Sequence, residues 1–168
     1  MKKLVALVLI SILSVMSVNT ATAAKNPYGT AKVDPAAPNE VILTITKGAR
    51  SIEFAYPRLL KMKHSTITIY EPFLKKRQTF TVIRLQSLFN FVAISGGDKV
   101  VTKALNDYIF TDKASNFINA GAYLAIRQNG APIGYDQGGP IRIVFADDSK
   151  WAKNLDAWNW SIESISVK

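Results

Sequence analysis

The chain has 168 residues, 48% of them hydrophobic, with no cysteine, one histidine and a formal net charge of +9. That excludes a disulfide framework and any thiolate for metal binding or nucleophilic chemistry, while the length suits one domain with a self-sufficient hydrophobic core. A zinc or copper site would need carboxylates for nearly every ligand, so the chain is poorly equipped for enzymatic chemistry.

Residues 1–23 read MKKLVALVLISILSVMSVNTATA. Lys2 and Lys3 precede an apolar run from Leu4 to Val18, and Ala21-Thr22-Ala23 offers the small residues of a cleavage site, which predicts a secretory signal removed after Ala23 and a periplasmic location. The run is shorter than the about 20 residues of a membrane span and no basic anchor follows it, which leaves a permanent anchor as the second reading. Without the signal's two lysines the net charge is +7. The excess is concentrated between Lys47 and Arg77, where eight Lys or Arg face only Glu53 and Glu71. Such a surplus suits an acidic protein surface or an anionic leaflet, or simply a solvated face that keeps the protein soluble; export argues against nucleic acid.

Residues 24–40, AKNPYGTAKVDPAAPNE, carry three prolines and little apolar periodicity, and read as an extended arm ahead of a domain at 41–168. VILTIT and SIEFAY are strand-like, and Pro57 can open a short helix through PRLLKMK because a proline in the first turn loses no hydrogen bond. STITIYEPF gives a strand that Pro72 ends, followed by the strand QTFTVI. RLQSLFNFVAIS places Leu85, Leu88, Phe89 and Val92 on one helical face, with Gly96-Gly97 expected to close that helix. KVVTKAL and DYIFT are two further strands, and Thr111 or Asp112 can cap a helix through Phe117. AYLAIRQ, Asn129-Gly130 and API form the clearest hairpin signal. PIRIVFA reads as a buried strand, and WNWSIESISVK as a final strand with aromatics on one face. Many short strands without regular strand–helix alternation predict an α+β domain with a mixed, largely antiparallel, barrel-like sheet and two or three short helices.

No P-loop, G-x-G-x-x-G, H-E-x-x-H or nucleophile elbow occurs. His64, the single histidine, lies in the lysine-rich turn KMKHS and reads as a surface residue without a catalytic role.

LAIRQNGAPIGYDQGGPIRIVF together with WNWSIESI resembles the molybdopterin-binding domain of the sulfite oxidase type, in the spacing from Asn129-Gly130 to Gly138-Gly139-Pro140 and Arg142 and in the late tryptophan. TITIYEPF, RLQSLFNFV and DYIF fall in the expected order upstream. Two departures matter. The redox enzymes of that family ligate molybdenum through a cysteine in the segment where this chain has Tyr70 and Glu71. They also hold the cofactor phosphate with a glycine and lysines near the last strand, where this chain reads LDAWNWS. In these departures, and in size and export, the chain is similar to the small periplasmic pterin-binding regulators of the PruR type. That resemblance implies a reduced pterin as ligand, no metal and no catalysis. It also implies as partner the periplasmic domain of an inner-membrane enzyme that makes or degrades cyclic di-GMP, with an effect on biofilm formation. The other readings are a small molybdopterin-dependent oxidoreductase subunit and a ligand-free adaptor that docks through the basic segment.

A pterin is flat and carries an amide N–H beside an exocyclic amine, so it is held by stacking and by a carboxylate that accepts both protons. Glu71, aimed by Pro72, is the first candidate for that edge, its alternative being a surface carboxylate paired with Lys75 or Arg77. Asp136 is the second, its alternative being to cap the backbone of Gln137 to Gly139. Tyr70, Tyr108, Tyr135, Trp158 and Trp160 are candidates for stacking or else for the core. Asn159 can hydrogen-bond the ring. Arg142, a charge in an apolar strand, must meet a carboxylate or the ligand. Gly138 and Gly139 permit close backbone approach.

Overall fold

The computed structural model describes residues 37–168, so the expected signal at 1–23 and nearly all of the arm lie outside the described residues. The first strand, β1 (Val41–Lys47), turns through Gly48 into β2 (Arg50–Ala55), and alternation sends Leu43, Ile45 and Phe54 into the core. A register shift at Val41–Leu43 lets Ile42 bury beside Leu43. Pro57 sits in the first turn of α1 (Tyr56–Leu60), as expected, but the helix stops before the lysine-rich segment.

The next hairpin, β3 (Ser65–Glu71) with β4 (Lys76–Arg84), is largely exposed along β3, carries Lys75, Lys76 and Arg77 exposed at its turn, and buries Gln78, Phe80, Val82 and Ile83 from β4. Helix α2 (Leu85–Phe89) runs into a single tight turn at Asn90–Val92. The segment ends there because Ala93 takes the left-handed conformation, so the expected closure at Gly96-Gly97 is corrected to a position three residues earlier.

Strands β5 (Lys99–Ala104) and β6 (Ile109–Lys113) precede α3 (Ala114–Asn119). Neither Thr111 nor Asp112 caps α3: Lys113 holds the cap position, and Asp112 accepts hydrogen bonds from the Lys113 amide and the Asn116 side chain. The turn after β7 (Tyr123–Gln128) does use positive φ at Asn129 and Gly130, but API forms only the Gln128–Ala131 bridge before Pro132. A short turn at Tyr135–Gln137 leads to β8 (Arg142–Val144), which is fully buried, and the chain ends in β9 (Ile162–Val167). Trp158 and Trp160 precede β9 instead of lying within it.

The strands form two sheets. One has five strands in the order β2-β1-β9-β5-β6, antiparallel except for the β1–β9 pair; the other has four in the order β3-β4-β7-β8, all antiparallel. The mixed, largely antiparallel α+β architecture with three short helices is the one the sequence predicts. A chain of edge-to-face rings, Phe110, Phe117, Trp151, Phe145 and Trp158, runs through the core.

The segment before β9 matters most for the site. It is stitched to the β8 side by backbone bonds from Ile143 to Asn159 (2.9 Å), Ser161 to Gly138 (2.7 Å) and Ile162 to Ile141 (3.2 Å). These fix Asn159 and Trp160 against the strand that carries Arg142. Among the described residues no helix is long and apolar enough to cross a membrane.

Candidate functional site

Arg142 enters the core because β8 is buried on all sides, and an unpaired guanidinium there would be costly. It meets Glu71, the last residue of β3, at 2.7 Å, and both side chains are fully buried. Its other terminal nitrogen donates to the Gln137 carbonyl at 2.9 Å, while the second Glu71 oxygen accepts from the Leu74 amide. The guanidinium also lies 4.1 Å from the centre of the Trp160 ring. Glu71 is therefore neither a surface carboxylate nor free to meet a ligand. Its role as the first pterin-edge candidate is corrected to that of counter-charge for Arg142, and Arg142 itself makes the ion pair that was one of its two expected partners.

This buried pair supports an open cleft of about 410 Å³ lined by Phe73, Asn106, Tyr108, Leu155, Asp156, Trp158, Asn159 and Trp160. Three chain segments build it. Phe73 comes from the β3–β4 turn and packs edge-on to Trp160 at 5.0 Å; the Glu71 bond to the Leu74 amide holds that turn. Asn106 and Tyr108 come from the β5–β6 turn, where the Asn106 side chain accepts the Tyr108 amide at 3.2 Å. The remainder comes from the short turn Leu155–Ala157 and the residues after it. The Tyr108 hydroxyl donates to the Asp156 carbonyl at 3.0 Å, tying two of these segments together. Burial, and more weakly the Asp156 charge, hold that hydroxyl above its ordinary pKa.

Asn159 is fully buried and its amide nitrogen donates to Thr102 at 3.0 Å, but its carbonyl oxygen has no partner among the described residues; the same is true of the Trp160 ring N–H. Buried polar atoms are ordinarily paired, so an acceptor and a donor without partners on adjacent cleft residues are notable, although the Ser161 hydroxyl beside them and Gln128 Oε1 at a second hollow share that state. Gly138 explains how Trp160 comes so close: a β-carbon there would lie 2.5 Å from the indole. Gly138 and Gly139 thus permit close approach, of the chain to itself.

The structure brings Tyr108, Trp158, Asn159 and Trp160 together at the cleft, sets Arg142 with Glu71 behind the Trp160 ring, and separates Tyr70, Tyr135 and Asp136 from them. Tyr70 is half exposed on β3, its amide held by Asp147. Asp136 is exposed and lines a different hollow of about 330 Å³ with Gln128, Asn129 and Gln137. Tyr135 is half-buried beside it, in the same short turn, and lines neither hollow. The Tyr135–Gly139 loop thus supports the cleft from behind, through the Gln137 carbonyl on Arg142 and Gly138 against Trp160. Phe73, Asn106, Leu155 and Asp156 were not anticipated. Phe73 and Asp156 sit beside residues that were, in YEPF and LDAWNW, and nearness to those aromatics was the available signal.

No family model matches the chain and no curated relative matches it. Among solved structures, the sulfane dehydrogenase SoxCD from Paracoccus pantotrophus is similar to it, with a TM-score of 0.59 at 12% identity; the match covers 80% of this chain and 39% of that one. The chain thus spans well under half the length of that protein. The likeness shows the fold: a mixed α+β domain folded like part of that protein.

Proposed function

We propose that this domain is a non-catalytic binding protein for a reduced pterin without metal or phosphate. The observation that carries this reading is the cleft's lining: four aromatic side chains, two amides and one carboxylate, with no thiol and no cation. Flat heterocycles are held by such walls, and ring stacking contributes about 0.5–1.5 kcal/mol beyond area burial. The molybdenum cofactor fits this donor set poorly. The chain has no cysteine, Arg142 is committed to Glu71, and no group of three His, Cys, Asp or Glu suited to a metal exists among the described residues. Lys103, on the strand before the Asn106 turn, is engaged by Asp107 at 2.8 Å and Glu163 at 2.9 Å, so it is not free to serve as a phosphate clamp.

In this reading the domain acts in the periplasm, and pterin occupancy is passed to the periplasmic part of an inner-membrane enzyme of cyclic di-GMP metabolism. The exposed lysines and arginines around the β3–β4 hairpin supply a surface for an acidic partner. The alternative, a subunit of a molybdopterin-dependent oxidoreductase, draws on the likeness to a sulfane dehydrogenase. The missing thiolate and phosphate clamp count against it.

Titration of the purified protein with tetrahydro-6-hydroxymethylpterin, followed by tryptophan fluorescence, is expected to saturate at one ligand per chain. Trp160→Ala is expected to weaken binding about tenfold or more through lost stacking and buried area. Unchanged affinity in a variant that still unfolds cooperatively would place the ligand elsewhere.

A further inference from the structure

Asp156 is the single ionisable carboxylate on the cleft wall, and no lysine, arginine or histidine accompanies it there. None of the ion pairs among the described residues involves it. It is exposed, and the hydrogen bond from the Tyr108 hydroxyl to its carbonyl anchors its turn at the cleft. A carboxylate on a turn anchored at an aromatic cleft, without a protein cation to neutralise it, is matched by a ligand edge that presents two parallel N–H groups.

We infer that Asp156 is the specificity-determining residue of the cleft: its carboxylate accepts the ring N–H and exocyclic amine of a 2-amino-4-oxo heterocycle. The same uncompensated charge disfavours phosphorylated ligands. This inference rests on the pterin reading and adds the residue that would select the pterin. It assigns to Asp156 the part that Glu71, locked to Arg142, cannot play.

The test compares three tetrahydro probes on the full protein: 6-hydroxymethylpterin, its lumazine analogue with oxygen in place of the 2-amino group, and the pterin's phosphate ester. Wild type is expected to prefer the pterin over the lumazine by about 10- to 100-fold, the range for hydrogen bonds to a charged group. Asp156→Asn, nearly isosteric and exposed, should weaken pterin binding and erase most of the preference, while lumazine binding holds or rises because the amide can donate to the 2-oxygen that a carboxylate repels. Asp156→Glu should keep part of the preference. The phosphate ester should bind wild type more weakly than the parent pterin, and Asp156→Asn should narrow that gap. Equal binding of pterin and lumazine by wild type, a preference that survives Asp156→Asn, or a parallel fall in lumazine binding would overturn the assignment and leave the pterin reading standing. A phosphate ester that binds wild type as tightly as its parent would remove the charge-exclusion half. Failure of wild type to bind either unphosphorylated probe would overturn both the inference and the reading beneath it.

Discussion

Glu71→Ala is expected to cost about 3–5 kcal/mol of folding stability, because it leaves the Arg142 guanidinium buried without its counter-charge. The loss extends beyond the pair. Glu71 also fixes the Leu74 amide, and Arg142 lies against the Trp160 ring, so the Phe73 turn and the cleft wall loosen together. Pterin affinity should therefore fall in this variant although Glu71 touches no ligand. A double change, Glu71→Leu with Arg142→Met, removes both charges at similar volume and should recover most of the stability, since an apolar replacement of a buried pair is often neutral or better. Urea unfolding of the single and double variants checks this. A cost below about 1 kcal/mol for Glu71→Ala would mean that the arginine finds water or another partner.

Gly139→Ala is the second change expected to be severe. An added β-carbon would lie 1.9 Å from the Ile133 carbonyl oxygen and 2.9 Å from that of Gly134. Both obstacles are backbone, and the Gly139 amide itself donates to the Gly134 carbonyl at 2.9 Å, so the loop cannot yield without breaking its own bond. The expected cost is about 3 kcal/mol or more, at the upper end of overpacking effects. Gly97→Ala is the matched control, since its β-carbon would meet nothing within 4 Å. It should lie within about 1 kcal/mol of wild type or slightly above it, because alanine restricts the unfolded chain. Similar thermal midpoints for the two variants would contradict the close approach at Gly139.

The fold class was legible because its signals are local. Strand alternation, Pro57 at a helix start, Pro72 directly after β3 and positive φ at Asn129-Gly130 all follow from residue chemistry within a few positions. The site was only partly legible because it is assembled from segments far apart in the chain. Glu71 and Arg142 are 71 residues apart, and the sequence said only that Arg142 needs a partner. Phe73, Asn106 and Asp156 come from three separate turns, and nothing local in any of them shows that the other two close on it. The apparent alternation of Trp158, Trp160 and Ile162 concealed the end of one element and the start of another. The strand begins at Ile162, directly after the positive φ at Ser161, so both tryptophans belong to the segment before it. The loop around Asp136 shows the converse: its glycines serve contacts within the protein, Gly138 with Trp160 and Gly139 with the Ile133 carbonyl, and a short motif carries no sign of whether it packs or binds.

The most direct test is mass spectrometry of small molecules, with metal analysis, on protein purified gently from its native host. A reduced pterin at about one per chain, with neither molybdenum nor phosphorus, is the expected result. Stoichiometric molybdenum, or a phosphorylated pterin dithiolene, would contradict the account outright.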